Sequence, residues 1–108
     1  MLTRNTLFRP ALLSAMALLW LASCSKKPDA CFTIEKGQPS SKLNDEVQVN
    51  AACSTDADSY LWEFGDGFST TGAMAKHKYN AVGNFTIKLT AKNSSKESST
   101  SRDVTVVP

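Results

Sequence analysis

The chain has one histidine, His77, which follows Asp66 by eleven residues with the hydroxyls of Ser69, Thr70 and Thr71 lying between them. A carboxylate, an imidazole and a hydroxyl are the parts of a hydrolytic triad, in which the imidazole takes the nucleophile's proton and the acid orients the imidazole. Nothing around these residues resembles a nucleophile elbow or an oxyanion-hole loop, so the expectation is a non-catalytic chain. Asp56-Ala57-Asp58, with Ser54 and Asp45 nearby, offers the hard oxygen atoms that calcium favours. The stretch lacks the further ligands and the glycine of an EF-hand loop, and two acids spaced by one residue also suit an ordinary solvated loop. The expectation is therefore no metal, with calcium at Asp56 and Asp58 as the alternative. Zinc is disfavoured because Cys31 and Cys53 lack the close paired spacing of a structural site.

A third cysteine, Cys24, closes the tetrapeptide Leu21-Ala22-Ser23-Cys24. Ahead of it stand Arg4 and Arg9 and then an uncharged apolar run over 11–21, the layout of a secretory signal peptide. The run is short for a membrane span. Small residues followed directly by a cysteine resemble the bacterial lipoprotein signal. That resemblance implies a cleaved signal over 1–23 and acylation of Cys24 as the new N-terminus, so the one covalent group expected is lipid on Cys24. A single acyl chain binds membranes only marginally, and the lipoprotein pathway supplies more than one. The expected location is the envelope of a diderm bacterium, with the chain anchored to the outer membrane by its lipid alone. Ser25-Lys26-Lys27 is basic, unlike the acidic tetrapeptides some bacterial groups use for surface export, which leans towards the periplasmic face and leaves the surface face open.

Loss of Arg4 and Arg9 with the signal leaves ten Lys and Arg against ten Asp and Glu. A near-neutral remainder has no basic excess to track a phosphate backbone, so nucleic acid is not an expected partner. Lys76, Lys78, Lys88, Lys92 and Lys96 read first as a solvated face. With Cys24 taken by lipid, Cys31 and Cys53 are left as a pair in an oxidising compartment, where a disulfide persists. The turn-rich stretch 37–45 between them would reverse the chain and bring them together. Closing that loop of about twenty residues would stabilise the fold by about 3 kcal/mol in the chain-entropy model. Simple alternation points Cys31 away from Phe32 and Ile34, so the pairing requires a bulge or an irregular strand end.

The elements that must position these residues read as strands. Segment 24–29 is a polar spacer between lipid and domain, and 30–108 is long enough for one small domain. Within it, 31–36, 46–52 and 60–64 are short strand candidates, and 60–64 sets Tyr60, Trp62 and Phe64 on one face. Phe85, Ile87, Leu89 and Ala91 alternate with Thr86, Lys88 and Thr90, and Val104 and Val106 mark a last strand. Turn signals separate these runs and no segment has sustained helical periodicity, which predicts an all-β antiparallel sandwich.

Tyr60-Leu61-Trp62-Glu63-Phe64-Gly65-Asp66-Gly67, then His77-Lys78-Tyr79, then Gly83-Asn84-Phe85-Thr86-Ile87, closely resembles the polycystic kidney disease (PKD) domain. The likeness spans roughly 30–107, and it implies an immunoglobulin-like sandwich in which Asp66 and His77 hold structural positions. Trp62 and Phe64 suit the core of a small sandwich. Gly65 and Gly67 can flank Asp66 in a turn whose carboxylate accepts backbone N–H groups, Tyr79 can pack its ring and pair its hydroxyl, and Gly83 permits the next turn. Members of this family are commonly accessory domains of long chains, whereas this sequence stops at Pro108, just after the last strand, so the expectation is a domain acting alone or through partners in trans.

The exposed candidates for binding are Phe68, just past the Gly-Asp-Gly turn, Met74, and Lys76 and Lys78 flanking His77. Phe68 and Met74 covering an open end of the sandwich is the competing reading. The function expected first is a lipid-anchored envelope module contacting proteins. Glycan or polysaccharide binding is the alternative, weakened by the lack of a loop aromatic cluster, and a purely structural spacer lipoprotein is the third reading.

Overall fold

The computed structural model describes residues 26–38 and 40–108; the proposed signal segment 1–23 and the lipid-site Cys24 lie outside the described residues. Eight strands follow in order: β1 (Thr33–Lys36), β2 (Ser40–Lys42), β3 (Glu46–Asn50), β4 (Ser59–Glu63), β5 (Ser69–Thr71), β6 (Met74–Lys78), β7 (Gly83–Lys92) and β8 (Glu97–Val107). They form two sheets, β1-β3-β6 and β2-β8-β7-β4-β5. The expected all-β immunoglobulin-like sandwich is the observed architecture.

Alternation explains the core. Ile34, Val49 and Ala75 stand in register across the three-stranded sheet, and all three are buried, as is Val47 two residues on. From the other sheet come Trp62, Phe64, Ile87, Leu89, Ala91, Val104 and Val106, also buried. Apolar area removed from water on both inner faces is the main driving force for this packing. Phe32 meets the Trp62 ring edge-on, with centroids 5.2 Å apart, and the Arg102 guanidinium lies 5.8 Å from the Phe32 ring centre. Thr90 departs from the polar-out pattern. It is buried on the outer face because β7 is the central strand, and Leu61 and Ser99 flank it in register.

Three strands were not legible in the sequence. β2 arises inside the stretch read as a plain hairpin turn: the chain leaves β1, runs parallel to β8 over Ser40–Lys42, and returns to β3. Positive φ at Gly37 and Asn44 makes the two corners of this excursion. β5 and β6 lie in a stretch with only short alternation.

Cys31 and Cys53 are joined in a disulfide with Cα atoms 5.3 Å apart. The parity conflict dissolves because Cys31 precedes β1 in an irregular segment, where strand alternation does not apply. Ser54 Oγ fixes that segment, accepting from the Cys31 N–H at 2.9 Å and donating to the Cys31 carbonyl at 2.6 Å.

The spacer reading of 24–29 needs correction at its described end, where residues 26–29 lie against the domain. Asp29 pairs with Thr55 through two backbone hydrogen bonds, Pro28 is buried, and the Asn93 side chain donates to the Lys26 carbonyl at 2.8 Å. Backbone pairing by polar residues leaves no hydrophobic pattern, so the sequence does not announce it.

Candidate functional site

Register places the Gly65-Asp66-Gly67 turn, the 80–82 turn and Val107 at one pole of the sandwich. Residues 51–58, Gly72, Ala73 and 93–96 lie at the other pole, where the chain enters. The first pole carries the residues whose types invited chemistry.

Asp66 is committed on both carboxylate oxygens. Oδ1 accepts from the Phe68 N–H at 3.2 Å, closing the turn, and Oδ2 lies 2.7 Å from His77 Nε2, which donates to it. Their side chains are only 14% and 13% exposed. His77 sits on β6 opposite Val47, so its ring turns inward, stacking on Phe64 with centroids 4.4 Å apart and meeting Tyr79 edge-on. Tyr79 in turn donates its O–H to the Phe64 carbonyl at 2.7 Å and stacks on Phe85. Burial pushes the Tyr79 hydroxyl's pKa up, and the nearby Asp66 charge adds to the rise. Among the described residues no hydroxyl from Ser69, Thr70 or Thr71 bonds to His77, and the Phe68 ring lies beside the imidazole instead, with centroids 5.4 Å apart. The acid and imidazole thus clamp a turn to a strand, without a nucleophile.

The glycines have distinct reasons. Gly65 adopts φ +84, and a Cβ there would stand 2.7 Å from the Thr86 carbonyl oxygen and 2.9 Å from its nitrogen. The turn can lie this close to β7 only without a side chain. Gly67 adopts φ +96 over open space, so its requirement is conformational alone. Trp62 completes the framework by donating its Nε1–H to the Gly72 carbonyl at 2.8 Å.

The candidate binding residues do not form one patch. Met74, Lys76 and Lys78 share the outer face of the three-stranded sheet, opposite the inward His77, where they stand across from Asn50, Gln48 and Glu46. Phe68 is separate: 62% exposed, it borders a shallow groove of about 350 Å³ lined by Leu61, Glu63, Gly65, Gly67 and Ser69. β5 runs along this side as the last strand of its sheet, with one edge unpaired among the described residues. Val82, 53% exposed in the turn before β7, is at the same pole and was missed; an isolated valine between turn residues carries no signal of exposure. Met74 is 54% exposed.

A second groove, of about 520 Å³, opens at the opposite pole between Tyr60, Leu61 and Gly72, with Asp58 and Lys92 on its rim. Asp56 and Asp58 line a depression shared with Lys26 and Asn93, where the Asp56 carbonyl accepts from Asn93. Among the described residues no three His, Cys, Asp or Glu side chains converge as a metal cluster.

Residues 32–106 match the model of the PKD domain family. Among curated relatives, collagenase ColA of Bacillus cereus is 39% identical over 91 residues, covering 80% of this chain and 10% of the collagenase. Collagenase ColA of Clostridium perfringens is 36% identical over 70 residues, covering 61% of this chain and 6% of that protein. The chain thus spans a tenth or less of the curated relatives it matches. Among solved structures, the PKD1 domain of Vibrio anguillarum Epp aligns with a TM-score of 0.65 at 24% identity, over 79% of this chain and all of that one. A chain from a study of the promiscuous specificity of carbohydrate-binding modules from the β-sandwich superfamily aligns with a TM-score of 0.72 at 26% identity. That alignment covers 78% of this chain and 36% of the other.

Proposed function

The chain belongs to the PKD domain family, and on that premise we propose that it is a lipid-anchored, non-catalytic interaction module of the bacterial cell envelope. Cys24 carries the lipid at the outer membrane, and the pole bearing Phe68 meets a protein partner. The observation that carries this reading is the division of labour at that pole. Asp66 spends both carboxylate oxygens on His77 Nε2 and the Phe68 N–H, and Tyr79 spends its hydroxyl on the Phe64 carbonyl, while Phe68 is left 62% exposed beside a groove. An exposed aromatic anchor flanked by polar groups suits protein recognition, and the unpaired edge of β5 beside it can accept an extended segment.

Glycan binding is the second reading. It is favoured by the likeness at 26% identity to the chain from the carbohydrate-binding-module study and by the Tyr60 groove with its Asp58 and Lys92 rim. Crosslinking of the lipidated protein in intact cells, with mass spectrometry of what is attached, separates the two. Envelope proteins captured by the native chain and lost from Phe68→Ala support the first reading. Retention on envelope polysaccharide with no protein attached replaces it with the second.

A further inference from the structure

The chain entry is a strap rather than a free tether. From Lys26 to Cys31 the backbone is held at successive points: Lys26 by Asn93, Asp29 by Thr55, Ala30 by the Ser98 hydroxyl at 3.0 Å, and Cys31 by Ser54 and by the disulfide to Cys53. Asn93 grips the Asp56 carbonyl with the same amide nitrogen at 3.0 Å, so the strap and the two loops around it form one unit. Only Ser25 separates Cys24 from the first held residue. Two residues of extended chain span at most about 7 Å. Given the reading of Cys24 as the lipid site, on which this rests, there is no slack to hold the domain away from the bilayer.

We infer that the pole formed by the strap, residues 55–58 and residues 93–96 lies against the phospholipid headgroups of the leaflet that holds the Cys24 lipid, which fixes the domain upright on the membrane. The chemistry of the pole suits headgroups rather than acyl chains. Lys26, Lys27 and Lys96 present ammonium groups with no ion pair among the described residues, and the exposed Ser94 and Ser95 add polar side chains. Asp29, Asp56 and Asp58 balance those charges, so the tether, not net attraction, sets the contact. Val82 then stands at the far end of β7, a strand of ten residues and about 30 Å, and Phe68, next to Ser69 and so level with the middle of β7, stands roughly half that distance from the membrane contact.

Lysine footprinting tests this on the full lipidated protein in vesicles of phosphatidylethanolamine and phosphatidylglycerol, using a water-soluble acylating ester read by mass spectrometry. A second protein carries a Gly-Ser linker of about twenty residues between Ser25 and Lys26, which adds roughly 25 Å of reach. The expected result is a severalfold loss of acylation at Lys26, Lys27, Lys92 and Lys96 relative to Lys36, Lys42 and Lys78, with that protection abolished by the linker although vesicle binding persists. Vesicle binding with uniform acylation in the native protein overturns the upright orientation and leaves the lipid assignment standing. Failure to bind vesicles removes the lipid assignment, and the orientation with it.

Discussion

At the residue scale, the signature Trp62-Glu63-Phe64-Gly65-Asp66-Gly67 works as a clamp whose parts differ in what they tolerate. Gly67→Ala meets open space, so its cost is the strain of a left-handed backbone, about 1–2 kcal/mol. Gly65→Ala carries that strain and also drives a Cβ into the Thr86 backbone, which adds roughly 1–3 kcal/mol. Urea denaturation of the two variants is expected to rank Gly65→Ala well below Gly67→Ala. Trp62→Ala removes a wholly buried ring and its bond to the Gly72 carbonyl, with an expected loss of roughly 3–5 kcal/mol by the same measurement. Tyr79 gives a pH signature. Its hydroxyl titrates higher in the folded protein than in the unfolded chain, so the protonated form favours folding. That contribution is whole below the unfolded tyrosine value of about 10 and is lost as the pH climbs towards the raised folded value. Tyr79→Phe is expected to cost about 1–3 kcal/mol at neutral pH by leaving the Phe64 carbonyl unpaired. It should also show a shallower loss of melting temperature than the native protein in the alkaline range.

At the element scale, legibility followed side-chain pattern. β7 could be read from its alternation, and β4 from the three aromatics at 60, 62 and 64, because burial on one face leaves a period of two. β2 and β5 are three-residue strands of Ser, Thr and Lys whose pairing is made by the backbone, and nothing in their side chains demands a sheet. The first half of β8 is equally silent, since Ser98, Ser99, Thr100 and Ser101 pair with β7 without a buried apolar row. The strap is the strongest case: Asn93 reaches Lys26 across 67 residues, a contact with no local signature. The Asp66 turn was legible because its partner is two residues away, whereas its bond to His77 required β6 to exist. The disulfide ties the strap to the loop after β3. Replacing Cys31 and Cys53 together by Ser is expected to lower unfolding stability by about 3 kcal/mol, measured by denaturation, because a loop of some twenty residues regains its freedom in the unfolded chain. Loops around Asp29 and Thr55 should then show the fastest amide exchange.

At the scale of the whole molecule, the sandwich puts the proposed attachment and the proposed recognition face at different ends. The chain enters at one pole under a strap and a disulfide, and the aromatic clamp holds the other pole rigid beneath Phe68. A rigid scaffold presenting an exposed ring loses little entropy on binding, which suits the proposed interaction module. Neither grooves nor exposed residues are marked by the family signature, which explains why the fold was legible in the sequence when a binding surface was not: Trp62, Phe64, Gly65 and Asp66 all face inward or hold backbone. The measurement that tests the central claim most directly is paired: unfolding stability and in-cell crosslinking of the lipidated protein, each with Phe68→Ala. Stability within about 1 kcal/mol of native, together with loss of the captured envelope proteins, is the predicted result. Capture undiminished in a fully folded Phe68→Ala protein would contradict it.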